Sequence, residues 1–228
     1  MCGRFVQIKQ RRDYEAYLKA RAARDTQPDE ERSSWNVPPS TPSWVVRQIG
    51  GALRVDRLIW GWTTTGGTGA RLVSNARVEG ASEKPLFRDA WQTRRCLVPV
   101  EGWYEWQSID GARKQPYFFH ARSDDPVLLA GLWTGNNFAL LTAATHGALA
   151  MVHTRRPVVI PEEEAIRWCD PMAAWTPGDV EQIMTSEDAF EIVPVSDAVN
   201  STRQDGPALI RAIDPALIAR PDSLLPGF

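Results

Sequence analysis

Short alternating stretches of apolar and polar residues dominate residues 35–200, and this pattern is typical of antiparallel strands. Gly50-Gly51 separates two such stretches, which predicts a β-hairpin. Helical spacing of apolar residues predicts one amphipathic helix over 9–24. Shorter helices are predicted over 161–168, 177–184 and 207–213, and strands over 44–49, 53–62, 95–107, 116–121, 127–133, 138–145, 157–160 and 190–196.

This order of elements predicts an α+β fold: a single domain with a mostly antiparallel, partly barrel-like β-sheet core flanked by a few helices. The 228 residues, of which 43% are apolar, are enough to bury a sizeable core. We expect the domain to cover 1–213 and the proline-containing end, 214–228, to be a loosely attached tail. No apolar run has the length of a membrane span or a signal peptide, so we expect a cytoplasmic protein.

The charge is unevenly distributed along the chain. The net charge of −2 argues against a uniformly basic protein that coats nucleic acid. Residues 1–120 carry 19 basic and 13 acidic residues, whereas residues 121–228 carry 7 and 15, so a polyanion would bind the first part. Arginine supplies 22 of the 26 cations, which suits forked phosphate contacts but equally reflects genome base composition.

Three cysteines, Cys2, Cys96 and Cys169, are widely separated, which predicts reduced thiols and no disulfide framework. No cluster of His, Cys or carboxylate residues has metal-ligand spacing, so we expect no metal and no other cofactor.

Cys2 follows the initiator Met1, and a small residue at that position is normally exposed by removal of the Met. The α-amine and the thiol of an N-terminal cysteine have ordinary pKa values of about 7.8 and about 8.5, so both are partly deprotonated near neutrality. The amine can form an imine with an aldehyde, after which the thiol closes a thiazolidine ring. The alternative is that Cys2 is merely a small residue near a chain end.

Two carboxylates, Glu101 and Glu105, lie among large apolar residues, and strand alternation would put both on one face with Trp103. Burial beside aromatic rings raises a carboxyl pKa, so one of the two is a candidate general acid or base. The sequence does not say which, and an exposed carboxylate on a solvated face is the alternative. His153 precedes two arginines, which suits proton transfer beside a polyanionic substrate, although a structural histidine at a strand start competes with this interpretation.

Six short motifs in compatible order resemble the SOS-response-associated peptidase (SRAP) family. They are MCGRF (1–5), WNVPP (35–39), NARVE (75–79), GWYEW (102–106), HTRRP (153–157) and PVS (194–196). The resemblance implies a protein that shields abasic sites in single-stranded DNA covalently, through a thiazolidine between Cys2 and the ring-opened sugar. It also implies self-removal of Met1, lyase-like imine chemistry, a monomer without metal, and binding at single strands or at single-strand/duplex junctions.

The resemblance further implies roles for individual residues. Glu105 would be the acid/base of imine formation and reversal, His153 would assist ring opening and proton transfer, and Asn75 would orient the sugar. Together with Cys2 these are the expected catalytic residues. The expected DNA-binding residues are Arg4, Asn36, Pro39, Arg77, Trp106 and Arg155.

The chain departs from the family pattern at two places. Gly80 replaces a threonine, and Thr63-Thr64-Thr65-Gly66-Gly67 replaces a proline-tryptophan stretch. Two other functions remain open at this point. One is an N-terminal-nucleophile amidohydrolase in which the Cys2 thiol attacks a carbonyl. The other is a module that binds nucleic acid without a covalent bond.

Overall fold

The computed structural model describes residues 2–19, 21–22, 33–66, 69–109, 111 and 113–214. The predicted tail therefore lies outside the described residues from position 215 onward. Among the described residues, none of the helices combines the length and the apolar character that crossing a bilayer requires. The strands are β1 (Arg4–Gln7), β2 (Arg21–Ala22), β3 (Ser34–Val37), β4 (Pro42–Ile49), β5 (Ala52–Trp60), β6 (Trp62–Gly66), β7 (Gly69–Val73), β8 (Asn75–Arg77), β9 (Arg95–Val100), β10 (Gly102–Ser108), β11 (Lys114–Ala121), β12 (Val127–Thr134), β13 (Asn137–Ala144), β14 (Arg155–Pro157) and β15 (Phe190–Pro194), and the helices are α1 (Arg11–Tyr17), α2 (Val78–Ala81), α3 (Arg88–Thr93), α4 (Ala165–Cys169) and α5 (Pro177–Ile183).

Two large sheets and the two-stranded sheet of β6 and β7 form the described part of the molecule. In the larger one, the order β13-β12-β9-β4-β5 is antiparallel throughout, and β5 pairs again with β13 in parallel through Phe138 and Trp60, which closes a ring. The second sheet has the antiparallel order β15-β11-β10-β1-β3. The predicted α+β fold with a mostly antiparallel, partly barrel-like core is therefore confirmed.

The start of the chain is built into the core between the two sheets. Phe5 of β1 and Trp103 of β10 share a buried cluster with Trp60 and Phe138 of the ring, and Cys2 belongs to the same cluster. The rings of Phe5 and Trp60 have their centroids 4.8 Å apart. Burial of large aromatic side chains on both sides stabilises this arrangement, so the segment before β1 is held in place.

The strand predicted over 95–107 is two strands in different sheets. The chain leaves the ring at Val100 and enters the five-stranded sheet at Gly102, where a Cβ atom would lie 2.3 Å from the Phe119 carbonyl oxygen. Only glycine fits this close approach. The junction interrupts the alternation, so the prediction that Glu101 shares a face with Glu105 was wrong. Glu101 instead accepts hydrogen bonds from the Ile8 amide (2.6 Å) and the Tyr14 hydroxyl (3.0 Å).

The helix predicted over 9–24 is much shorter than its pattern suggested. It covers Arg11–Tyr17 and ends at Leu18, Lys19 has a φ of 49°, and Arg21–Ala22 form β2, while positions 20, 23 and 24 of the predicted helix lie outside the described residues. The tertiary pairing of β2 with β5 overrides helix propensity here. Segment 207–213 likewise forms only a 3₁₀ turn, over Pro207–Ile210.

The late helices start where their capping residues indicate. Thr176 accepts a hydrogen bond from the Asp179 amide at 3.1 Å and begins α5, as predicted. Segment 161–168 begins as a 3₁₀ turn and continues into α4. The helices α2 and α3 were missed because four and six residues are too few to show a helical period.

Gly102→Ala tests the close approach at the sheet junction. Because the new Cβ would meet backbone as well as the Phe118 ring at 2.6 Å, we expect the free energy of unfolding to fall by about 2–3 kcal/mol, measured by urea denaturation. The control is Gly178→Ala in α5, where the nearest atom, Thr176 Oγ1, lies 3.8 Å away and stability should stay level or rise slightly. Equal midpoints for Gly102→Ala and the parent would contradict the packing described.

Candidate active site

The main chain of Cys2 is fixed by Asn75. The Asn75 amide nitrogen Nδ2 donates to the Cys2 carbonyl oxygen at 2.9 Å and lies 3.2 Å from Ser74 Oγ. Asn75 is itself held by parallel pairing of β8 with β13, opposite Leu140. Its Oδ1 atom is buried and has no hydrogen-bond partner within the described part of the chain. The site thus contains one buried acceptor that can take a hydrogen bond from a hydroxyl of a bound molecule.

Glu105 and His153 lie together beside this segment. Glu105 is in the centre of β10, opposite Tyr117 of β11, and only 2% of it is exposed. His153 Nδ1 lies 3.9 Å from Glu105 Oε2. The same nitrogen lies 2.9 Å from the carbonyl oxygen and 3.0 Å from the amide nitrogen of Arg155, and the tautomer decides which of these contacts is the hydrogen bond.

Burial sets the protonation of the three reactive side chains. It raises the pKa of Glu105 from 4.5 to about 7, so this carboxyl exchanges protons near neutral pH. Burial also raises the pKa of the Cys2 thiol far above its usual range, and the negative charge of Glu105 adds to the effect. The pKa of His153 is lowered, chiefly by burial, with the cations Lys114 and Arg155 contributing. At neutral pH the site therefore holds a protonated thiol, a neutral imidazole and a carboxyl that can be protonated or ionised.

A cavity of about 610 Å³ opens on this cluster. Glu105 and His153 are at its wall, so the candidate acid/base groups face a space large enough for a nucleotide. Basic and acidic side chains share the remaining wall, which is lined by Trp106, Arg113, Lys114, Asp197 and Asn200.

Arg77 and Arg155 are not equivalent. Arg77 ends β8 and is exposed. Arg155 is largely buried, and its guanidinium donates hydrogen bonds to both carboxylate oxygens of Glu79 and to the backbone oxygen of Thr142. The charge of Arg155 is therefore already balanced within the protein, whereas the charge of Arg77 faces solvent.

Arg4 and Asn36 hold a neighbouring loop. Arg4 Nη1 donates to Asn36 Oδ1 (2.7 Å) and to the Val199 carbonyl (2.9 Å). The amide nitrogen of Asn36, which is 3% exposed, lies 3.0 Å from the Ser201 carbonyl. That loop presents Asn200, whose Oδ1 accepts a hydrogen bond from Trp106 Nε1 at 2.7 Å. In this structure Arg4 and Asn36 thus act inside the protein, and through the loop they set the orientation of the Trp106 indole.

Pro39 lies half-buried in the turn after β3, which ends at Val37. Sequence reasoning missed Arg113, Lys114 and Asn200. The first two were detectable in principle, because antiparallel pairing of β10 with β11 brings Lys114 opposite Ser108, near Glu105. Asn200 has no local signal, since only the fold brings it to Trp106.

Comparison with known proteins agrees with the motifs. The profile of the family "SOS response associated peptidase (SRAP)" matches residues 1–202. The chain belongs to the SRAP family. Among solved structures, a phage-related protein of Bordetella bronchiseptica is 32% identical to this SRAP chain with a TM-score of 0.68, and the match covers 85% of this chain and 94% of that one. A protein of Bacteroides thetaiotaomicron at 16% identity has a TM-score of 0.76, over 93% of this chain and all of that one, and supports the fold alone.

Curated relatives of this SRAP chain carry a shared name. The abasic site processing protein YedK of Escherichia coli is 30% identical, over 93% of this chain and 100% of YedK. The abasic site processing protein YoqW of Bacillus subtilis is 28% identical over the same fractions. The abasic site processing protein HMCES of Xenopus tropicalis is 27% identical, over 61% of this chain and 50% of HMCES. Within the ranges described for this SRAP chain, no group of three or more His, Cys, Asp or Glu side chains could hold a metal ion.

Glu105→Gln tests the burial of this carboxyl. The pKa of Glu105 is about 7 in the folded state and 4.5 ordinarily, so its protonation stabilises the folded parent. This contribution is fully present below about pH 4.5 and is lost as the pH rises through 7. The variant has no such loss, so its free energy of unfolding relative to the parent should rise between pH 5 and 8, by on the order of 3 kcal/mol. Urea denaturation at several pH values measures this, with the exposed Glu181→Gln as control. A parent–variant difference that is independent of pH would show that Glu105 is not desolvated.

Proposed function

We propose that this SRAP chain recognises abasic sites in single-stranded DNA and shields them by a covalent thiazolidine crosslink to Cys2, after self-removal of Met1. The names of the relatives support abasic sites as the target, and the family description as a peptidase supports cleavage of the Met1–Cys2 bond. The observation that carries the proposal is the placement of Cys2. Asn75 fixes its carbonyl oxygen, the charge of Glu105 acts on its thiol, and Glu105, with a pKa near 7, is at the wall of an open cavity.

In the proposed reaction, the amine nitrogen of Cys2 attacks the aldehyde carbon of the ring-opened sugar. The carbinolamine loses its hydroxyl as water, which takes a proton from the Glu105 carboxyl, and the iminium nitrogen returns a proton to the carboxylate. The thiol sulfur then adds to the imine carbon, and the thiol proton passes to the nitrogen. The net change is the loss of one water and the formation of one C–N and one C–S bond.

The shifted pKa values of Glu105 and Cys2 support this order of steps. A carboxyl with a pKa of about 7 gives and takes protons with little energetic penalty at neutral pH. The thiol, protonated because it is buried, brings the proton that the imine nitrogen needs. Attack by a thiolate on an amide, which the amidohydrolase alternative requires, is disfavoured by the same raised pKa.

His153 and Asn75 have supporting roles in the proposal. The neutral imidazole of His153 lies 3.9 Å from Glu105 and can relay a proton to the sugar oxygen during ring opening. The unpartnered Oδ1 of Asn75 accepts a hydrogen bond from a sugar hydroxyl and so orients the aldehyde carbon.

The strand is held without reading its sequence. The exposed Arg77 contacts a phosphate, and Trp106, which lines the cavity beside Glu105, and Pro39 abut the bases next to the lesion. Arg155 contributes to DNA binding less than Arg77, because Glu79 balances its charge. We propose that the protein acts as a monomer on cellular DNA, at single strands and at junctions with duplex.

Substitutions of Cys2 test the proposed crosslink. Cys2→Ala, with its N-terminal amine intact, should give only an imine that reverses on heating, because no sulfur closes the ring. The parent should give a heat-stable adduct with an abasic oligonucleotide on a denaturing gel. Borohydride reduction should trap the Cys2→Ala imine, which separates loss of the thiol from loss of binding. A heat-stable adduct of Cys2→Ala formed without borohydride would refute the thiazolidine.

Arg77→Gln and Arg155→Gln test the division of charge at the DNA surface. Loss of one phosphate contact lowers the slope of log K against log salt by about 0.7 for a single strand, and we expect this for Arg77→Gln. Arg155→Gln should change the slope by less than half as much, because it removes a cation that Glu79 already neutralises. Fluorescence anisotropy with undamaged single-stranded DNA at several salt concentrations measures both. A larger change for Arg155→Gln would reverse the assignment.

A further inference from the structure

A second cavity, of about 380 Å³, lies apart from the site of Glu105. Strand β6 forms one of its sides, and the last residue of β12 and the first of β13 contribute to another. Its wall carries hydroxyl, amide, indole and guanidinium groups and one exposed apolar side chain. It is lined by Trp62, Thr63, Thr64, Leu86, Arg94, Thr134 and Asn137.

Two buried donors at this cavity lack a hydrogen-bond partner within the described residues. They are Trp62 Nε1, in a residue that is 4% exposed, and Arg94 Nε. A buried donor without a partner costs about 1–3 kcal/mol, and more when the group is charged. Arg94 as a residue is only partly buried, whereas the next residue, Arg95, is fully buried, and its Nε donates to the Trp168 carbonyl at 2.8 Å and its Nη2 to the Ala173 carbonyl at 2.9 Å. The guanidinium of Arg95 therefore has its hydrogen-bond partners within the protein, whereas Nε of Arg94 has none within the described residues.

The chemistry of the wall selects an oxyanion. No acidic side chain is among the residues that line the cavity, so the charge of Arg94 has no counter-ion there. An indole N–H, an arginine fork and threonine hydroxyls are donors suited to phosphate oxygens. A neutral ligand such as a base carbonyl would satisfy the donors but leave the positive charge unbalanced.

The cavity is within reach of a strand bound at the active site. Trp62 pairs with Val73 across the hairpin, and Val73 is two residues from Asn75. The backbone of Trp62 is one cross-strand step of about 5 Å from Val73, and Asn75 lies two residues of about 3.3 Å each beyond Val73. The backbones of Trp62 and Asn75 are therefore separated by roughly 10 Å. Successive phosphates of one DNA strand are about 3.4 Å apart along the axis in a duplex, and farther apart in an extended single strand. Two or three nucleotides therefore cover this distance.

We propose that this cavity binds a phosphate of the DNA strand two or three nucleotides from the lesion, with Arg94 as its counter-ion and Trp62 Nε1 and Thr63 as donors. The inference rests on the proposed function for the identity of the strand. Thr63 and Thr64 fall in the segment where this chain departs from the family pattern, so the site belongs to this chain's own sequence. Leu86, which is 42% exposed, is the apolar side chain in the wall of this cavity.

Arg94→Gln and Trp62→Phe test the cavity with undamaged single-stranded DNA. We expect Arg94→Gln to weaken binding about three- to tenfold and to lower the salt slope by about 0.7. Trp62→Phe keeps an aromatic ring and removes the N–H together with the five-membered part of the indole, without changing the charge, so it should weaken binding with the slope unchanged. The matched control is Arg88→Gln, an exposed arginine of α3 that is not among the residues lining the cavity. Thermal unfolding checks that each variant folds.

The indole N–H resonance of Trp62, identified as the signal absent from Trp62→Phe, reports occupancy directly. This resonance should shift on titration with single-stranded DNA. An uncharged methylphosphonate in place of the phosphate that occupies the cavity should make the parent and Arg94→Gln bind the oligonucleotide equally. A shift with inorganic phosphate but none with DNA would make the cavity a free-phosphate site and overturn the DNA assignment. An unmoved signal together with an unchanged salt slope in Arg94→Gln would overturn the site itself.

These outcomes are distinct from failure of the proposed function. A parent protein that binds undamaged DNA with an Arg94-dependent slope but forms no adduct with abasic DNA would refute the crosslink and leave the phosphate cavity standing. Adduct formation with an Arg94-independent slope would remove the cavity alone.

Discussion

Exclusion of water from the start of the chain is the constraint on which the site depends. Cys2 and Glu105 are buried between two sheets, and the low dielectric there opposes charge on either side chain. The result is a carboxyl that titrates near neutrality beside a thiol that stays protonated. The hydrogen bond from Asn75 to the Cys2 carbonyl fixes the main chain of Cys2, and Glu105 is at the wall of a cavity open to solvent.

The rest of the fold serves this arrangement. The glycine at position 102 lets β10 cross from the ring to the second sheet, so that Glu105 lands beside the segment that precedes β1. Arg4 and Asn36 tie the loop around 199–201 to β3, and Asn200 then orients Trp106 at the cavity wall. Several polar residues near the site thus maintain its shape, and only a few face the space where a strand would bind. Charge is divided in the same way, since Glu79 neutralises Arg155 and leaves Arg77 to act outward.

The sequence is informative wherever a local pattern determines structure. Alternation and turn residues located the strands of the ring, such as the hairpin of β4 and β5 at Gly50-Gly51, and the capping residue Thr176 located α5. The parallel pairing of β5 with β13 that closes the ring has no local signal, because it joins residues about 80 positions apart.

The same limit applies to the candidate site. Both Glu101 and Glu105 have apolar neighbours in the sequence, so the sequence does not show which of them is the acid/base. The structure separates them, because Glu101 lies at the junction of the two sheets and accepts two hydrogen bonds there. The internal roles of Arg4 and Asn36 depend on a loop more than 160 residues away. Lys114 could have been found by pairing β11 against β10, because that register is local.

The most direct test of the proposed chemistry is the intact mass of the purified protein before and after incubation with an abasic single-stranded oligonucleotide, followed by mapping of the modified residue. We predict a protein that starts at Cys2 and gains the mass of the oligonucleotide less one water, with the DNA attached to Cys2. A protein that retains Met1 and gains no mass, or an adduct that maps to a lysine, would contradict the crosslink at Cys2.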